Sequence, residues 1–459
     1  MSYRSKVALV YLLGFALDLL NMFVANIAYP DVAQHLHASV TQLAWISNAY
    51  MLGLTLIIPM SVWLAARVGE RRLILASLLL FGLASLFVAG ADSIEALIGW
   101  RLVQGLGGGL LIPVGQALAF RHCPAHLRSR LTLWVLSVAL LVPALSPMVG
   151  GWIVQALSWR WVFYLNLPLT LVALVLAALW LKVDDPASDR PTLDSRGLLL
   201  AASSLSLLLI ALSLLSETGT RQFGLIGLLL SAVTLGLYLR DGWRKPGALL
   251  DLQLLHSPSL RLAMCVYLLV PGVFIGTSLI AVLYLHQLGF GTAQIGGLML
   301  PWALGSAVAI VAGKQGFNRW GPKPLLVFGM LLQSAGIGLL MLIEQPHGWL
   351  PVTAYALMGL GGSLCSSSAQ TLAFIDIRAD RMNHASALWN INRQLSFCLG
   401  AAVLSSLLGA LNPQLPDAFR HCFLVAAVLT LLPIFAVLRF DATHVRALVR
   451  PAPLQEKTT

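Results

Sequence analysis

Residues 95–119 read EALIGWRLVQGLGGGLLIPVGQALA, and only Glu95 and Arg101 in them carry a charge. At 1.5 Å per residue the run exceeds the ~30 Å hydrocarbon thickness of a bilayer. Gly105, Gly107, Gly108 and Gly109 cluster as in a phosphate cradle, but no strand precedes them, no Lys-Ser/Thr follows and the flanks are apolar. The stretch is therefore read as a membrane helix. Its Arg101 cannot lose its proton, so it must be paired, hydrated or placed to repel a proton from a neighbour. Gly105 and Gly109 form GxxxG, which lets two helices approach closely, and Gln104 and Gln116 add polar groups.

The rest of the chain agrees with this reading. Of 459 residues 58% are hydrophobic and 10% charged, against roughly 25% charged in a soluble domain. Apolar runs of spanning length occur at 7–29, 43–65, 73–91, 95–119, 131–155, 161–181, 197–216, 222–239, 262–285, 294–312, 324–343, 350–374, 384–410 and 421–438. The expected fold is an all-α polytopic membrane protein with 14 transmembrane helices. They leave short loops, which argues against a soluble enzyme, an extramembrane receptor domain or a nucleic-acid-binding domain. An even number of spans puts both termini on one side. That side collects 24 of the 29 Lys and Arg residues, the other only Arg160, Arg221 and Arg420, so the positive-inside rule predicts both ends in the cytoplasm. The net charge of +11 is thereby a matter of topology, with no nucleic-acid partner implied.

The first run carries Asp18 and ends in no small-residue cleavage site, so it is expected to remain as a helix. The five cysteines are scattered without a CxxC pair, and His122, Cys123 and His126 lack a fourth ligand nearby, so neither a disulfide framework nor a metal site is indicated. No cofactor is expected.

Polar connectors at 182–196 and 240–261 divide the chain. The expected plan is an N-terminal six-helix bundle (1–182), connectors with an inserted helix pair (183–261), a C-terminal six-helix bundle (262–440) and a cytoplasmic tail (441–459). The segment Arg67-Val68-Gly69-Glu70-Arg71-Arg72 after the second run and Asn318-Arg319-Trp320-Gly321-Pro322-Lys323 after the tenth share R-x-G-x-[RK] at equivalent places. Two related halves are a pattern of secondary transporters, whose substrate sites lie near the midplane.

Polar residues at bilayer depth are costly and mark function by default. Asp18 is the one carboxylate deep inside a run, and removing it from water favours its protonated form, which makes it a proton acceptor. Asn21, Met22 and Ala25 share its helix face. This is read as a proton- or cation-binding face; the alternative is a polar contact pinning two helices. Pro143, Pro147, Gly150 and Gly151 should bend and thin the fifth helix, as a plain kink or a gating element. Asn390, Asn392, Arg393 and Gln394 in the thirteenth run, and Ser366 to Ser368 with Gln370 in the twelfth, could line a wet path, or be packing. Trp45, Tyr50, Tyr267, Phe274, Tyr284, Trp302 and Trp389 are aromatic lining candidates, with interfacial belt or packing as the ordinary alternative.

With these motifs assembled, the sequence resembles the major facilitator superfamily, specifically its fourteen-helix drug:proton antiporter (EmrB/QacA-like) family. The likeness is carried by R-x-x-Q-G at Arg101, Gln104 and Gly105, by Pro147, Gly150 and Gly151 in the antiporter motif, and by Trp45 and Tyr50. It extends to the W-R-W-x-F-x-x-N-x-P segment from Trp159 to Pro168 and to Arg393-Gln394. The resemblance implies alternating access by two bundles in the bacterial inner membrane. The proton gradient would drive export of a hydrophobic or cationic compound, and some relatives work with a periplasmic adaptor protein. There are departures. Asn21 stands where the family's first-helix aspartate is expected, with Asp18 one turn earlier; Ala66 and Asn318 replace the aspartates of the basic turns, and Val62, Val142 and Ser146 replace glycines. The expectation is a proton-coupled exporter with Asp18 and Arg101 as the coupling pair. The alternatives are a dedicated metabolite or siderophore exporter, uptake by symport, and a non-transporting sensor or assembly partner.

Overall fold

A computed structural model describes all residues except 1, 26–27, 39, 184–192, 216–218, 246–248, 291, 346–347, 412–415, 442–444 and 446–459. Asn26, most of the acidic connector after Lys182 and nearly all of the expected tail lie outside the described residues, as does the side chain of Pro147. Among the described residues the regular elements are all helical. The long ones are α1 (Tyr3–Ala25), α2 (Val40–Ile57), α3 (Glu70–Ala89), α4 (Ile94–Arg121), α5 (Ala125–Ala156), α6 (Asn166–Trp180), α7 (Ser195–Leu215) and α8 (Arg221–Arg244). They continue as α9 (Pro258–Gln287), interrupted at Val270 ahead of Pro271, then α10 (Met299–Trp320), α11 (Pro322–Leu340), α12 (Leu350–Phe374), α13 (Met382–Ala410) and α14 (Pro416–Leu431). The first helix ends earlier than the apolar run at 7–29 suggested: Tyr29 opens a separate short helix, Tyr29–Leu36, with Pro30 in its first turn.

Twelve helices among the described residues are long and apolar enough to cross a membrane. The 32-residue α5 and the 25-residue α12 stand outside that dozen, α12 being diluted by Gly359, Gly361, Gly362 and Ser366 to Ser368. Large apolar side chains point away from the protein: Leu179 is 73% exposed and Leu304 70%. Such surface is costly in water and at home in lipid, where the backbone must satisfy itself within each helix.

Local signals set the helix ends. Ser93 caps α4, accepting from the Ala96 amide at 3.2 Å, and Ser257 caps α9 in the same way, accepting from Leu260. The two basic turns have the same backbone form, Gly69 at φ 93° and Gly321 at φ 82°, where a side chain would be strained.

The chain divides into two compact units. The first comprises Met1–His122, Ser137–Leu254 and Ala379–Cys398; the second comprises Cys123–Leu136, Leu255–Arg378 and the chain from Leu399 on. Thus α5 and α13 are each shared between the units. In the first unit an apolar core gathers Val24, Ile46, Val88, Leu97, Trp159 and Phe163. α7 and α8 pair with each other, Gly227 meeting Ala211. Arg196 to Asp241 (2.9 Å) and Lys245 to Asp194 (3.6 Å) tie their ends together. In the second unit the core centres on Tyr284, Phe419, Phe423, Tyr355 and Met358.

Candidate functional site

The first unit holds a buried polar core built from α1, α2, α3, α4 and α6. The packing that creates it is the glycine contact between α2 and α4. A Cβ on Gly105 would fall 2.2 Å from the Tyr50 carbonyl oxygen, and one on Gly53 would fall 2.2 Å from that of Leu102. Gly109 is similarly tight against Leu54, and Gly107 against Phe81 of α3. Only bare backbone admits this approach, which brings Tyr50 beside Arg101.

Arg101 is fully buried. Its Nη1 donates to Asn21 Oδ1 at 3.1 Å and Gln104 Oε1 at 2.8 Å, and its Nε donates to the Ile46 carbonyl at 3.2 Å. The guanidinium carbon lies 4.5 Å from the centre of the Tyr50 ring and 5.7 Å from that of Phe163, cation over aromatic face. Among the described residues the acceptors bonded to Arg101 are all neutral oxygens. Gln104 Nε2 in turn donates to Ser85 Oγ at 2.7 Å, and Ser85 donates to the Phe81 carbonyl.

Asp18 takes no direct hydrogen bond from Arg101. It is 6% exposed, and its carboxylate accepts from the Tyr50 hydroxyl. Tyr50 thereby stands between the acid and the cation, its ring under Arg101 and its hydroxyl on Asp18. The charges of Arg393 and Arg101 both act on this carboxylate. Asn21, one turn on, accepts from Arg101 and from Asn166 Nδ2 at 3.1 Å. Asn166 belongs to the W-R-W segment, whose other members anchor it: Arg160 lies 4.6 Å from the Trp159 ring and donates to the Ala91 carbonyl and to Asp92, each at 3.2 Å.

A second polar group forms where α13 meets α4 in the same unit. Gln116 Oε1 accepts from Asn390 Nδ2 at 2.7 Å and Ser386 Oγ at 3.0 Å, and Ser386 also approaches the Pro113 carbonyl. Gln394 reaches Met51 Sδ at 3.6 Å. Arg393 is half-buried with its guanidinium 5.4 Å from the Phe15 ring. Gln370 is buried on α12, in the second unit. Pro143 is half-buried and Gly150 buried on α5, while a side chain at Gly151 would meet open space.

At the basic turns, Arg67 and Arg319 are exposed, and Arg71 Nη2 donates to the Ala178 carbonyl at 2.7 Å. The residue that acts in the first turn is Glu70. It is 7% exposed, pairs with Arg121 at 2.7 Å and accepts from Asn383 Nδ2 at 2.9 Å. In the second turn Asn318 accepts from Ser129 at 3.1 Å. Four participants were missed as site residues in the sequence: Glu70, Asn166, Ser85 and Ser386. The first two stood inside quoted motifs, whereas Ser85 and Ser386 carry no signal distinguishing them from packing serines. Among the described residues no group of three His, Cys, Asp or Glu side chains could hold a metal.

The Major Facilitator Superfamily model matches residues 11–401. The multidrug resistance protein B homolog of Mycobacterium tuberculosis is 32% identical over 412 residues, covering 88% of this chain and 76% of that protein. Among solved structures, the human organic anion transporter MFSD10 is similar at TM-score 0.68 and 17% identity, covering 95% of this chain and 100% of that one. The proton:xylose symporter XylE is similar at TM-score 0.65 and 14% identity, over 96% of each chain. At such identities the structural likeness shows the fold alone.

Proposed function

The chain belongs to the major facilitator superfamily of secondary transporters, which are not enzymes, and we propose that it exports a hydrophobic, drug-like small molecule across the bacterial inner membrane, driven by the proton gradient. The observation that carries this reading is the buried Asp18 carboxylate, bonded to Tyr50 and separated by that ring from Arg101. A carboxylate in this setting can take and release a proton within a span, and Arg101, held by neutral oxygens, keeps a fixed positive charge nearby. Outward direction rests on the multidrug-resistance relative. In the proposed topology α5 and α12 join the other twelve helices as spans, giving fourteen with both termini in the cytoplasm. Two six-helix bundles, 1–182 and 262–440, alternate access around the inserted segment 183–261, and 441–459 forms the tail. Where an outer membrane lies beyond, a periplasmic adaptor protein is the proposed partner.

Proton movement in proteoliposomes under a pH gradient tests this. Addition of dyes, biocides and metabolites should evoke proton flux in wild type, and Asp18→Asn should lower it at least about tenfold while the protein stays folded. Undiminished proton-driven transport by Asp18→Asn would remove the carboxylate from the mechanism.

A further inference from the structure

The charged groups deep in the apolar runs are unequal in number: Asp18 is opposed by both Arg101 and Arg393. All three lie in the first unit, so its polar core carries an excess of positive charge even with Asp18 ionised. The two arginines differ in how they are held. Arg101 is sealed from the surface and spends its donors on Asn21, Gln104 and the Ile46 carbonyl. Arg393 is half-buried, lies against the Phe15 ring and makes no hydrogen bond or ion pair with any described residue. The one carboxylate whose charge it shares, Asp18, is engaged by Tyr50.

Arg393 lies eleven residues into α13, roughly 16 Å from its start and 25 Å from its end at 1.5 Å per residue, well inside the helix. A guanidinium offers five N–H groups in a planar fork that fits two oxygens of a carboxylate, sulfonate or phosphate. Phe15 supplies an apolar face beside it.

We propose that the first unit binds the acidic group of an amphipathic small molecule, with Arg393 as its counter-ion. This rests on the reading of that unit as part of a transport site, and it replaces the cationic substrate implied by family resemblance with an anionic one. The physical reason is the sign of the core: a cation entering it meets two arginines for one carboxylate, whereas an anion meets an unused guanidinium.

Calorimetric titration of the full-length protein in nanodiscs of neutral lipid, with empty nanodiscs subtracted, provides the test. The probes are anilinonaphthalene sulfonate, its uncharged parent phenylnaphthylamine, and the cation ethidium. The sulfonate should bind about tenfold or more tightly than the parent, and ethidium more weakly than either. Arg393→Gln should erase the sulfonate's advantage and leave the parent's affinity in place, Arg393→Lys should retain most of it, and Asp18→Asn should strengthen sulfonate binding by removing a like charge. Equal binding of sulfonate and parent by folded wild type, tighter binding of ethidium, or a sulfonate preference unchanged in Arg393→Gln overturns the proposal. The ranking of the three probes by wild type needs no variant to fold. Intact sulfonate preference without proton-coupled flux would sink the transport reading alone, and flux without the preference would sink this one alone.

Discussion

The two units use the same backbone contact and surround it with opposite chemistry. In the first, Gly53 of α2 and Gly105 of α4 bring their helices together; in the second, Gly305 of α10 and Gly359 of α12 do so, a Cβ on Gly359 falling 2.1 Å from the Trp302 carbonyl oxygen. Counting back three residues from the first glycine of each pair gives Tyr50 and Trp302. Counting back four from the second gives Arg101 and Tyr355. Tyr50 bonds a carboxylate and carries a cation on its ring, whereas Trp302 stacks on Phe274 of α9 at 5.5 Å between ring centres with planes 11° apart. One scaffold thus holds a charged core in one half and an aromatic one in the other. Close helix approach is a property of the glycines, and the chemistry beside it is set independently by neighbours one turn away.

Breaking the shared contact should have the largest effect and strike both halves alike. Gly105→Ala and Gly359→Ala each place a methyl against backbone, which cannot move aside as a side-chain tip can. Each should cost about 3 kcal/mol or more, read as loss of folded protein in thermal unfolding. A large loss in only one half would show that the two contacts are not equivalent.

The chemistry should then separate the halves. Tyr50→Phe keeps the ring under Arg101 and deletes the hydroxyl on Asp18, so proton-coupled flux should fall roughly tenfold with a shifted pH profile. Trp302→Phe should leave that profile in place. Equal changes in pH profile would mean that the charged core has no special part in coupling.

The smallest expected effect concerns the two basic turns. Glu70→Gln removes the charge that meets Arg121 while keeping an acceptor for Asn383, and should destabilise the protein by about 1 kcal/mol, given the partial exposure of Arg121. Asn318→Ala deletes one neutral hydrogen bond from Ser129 and should cost about the same or less. Added salt should narrow the gap between wild type and Glu70→Gln only, because ions screen the pair at Glu70 and not the amide at Asn318.

Much of the candidate site was legible because charge in a membrane run is conspicuous. Asp18, Arg101 and Arg393 each stood out against apolar neighbours, and the paired turns at Gly69 and Gly321 advertised the repeat. Their partners were not legible. Tyr50 is thirty-two residues from Asp18, and nothing in its local sequence distinguishes an aromatic that bonds a carboxylate from one that packs. Asn21 reads in the sequence as a polar neighbour on the Asp18 face, and only the structure makes it the acceptor shared by Arg101 and Asn166. Glu70 sat in plain view in a quoted motif, hidden by an exposed-looking basic turn.

The sequence by itself determined that this chain is a polytopic membrane protein, where its helices lie and how few charges they bury, because bilayer thickness and the cost of charge in lipid act on local runs of residues. Only the tertiary structure decided which groups face those charges. It placed Tyr50 between Asp18 and Arg101, surrounded Arg101 with neutral oxygens and left Arg393 against Phe15 without an acceptor among the described residues. Such pairings arise from the close approach of helices distant in the chain, and spacing along one helix carries no information about what the next helix brings to meet it.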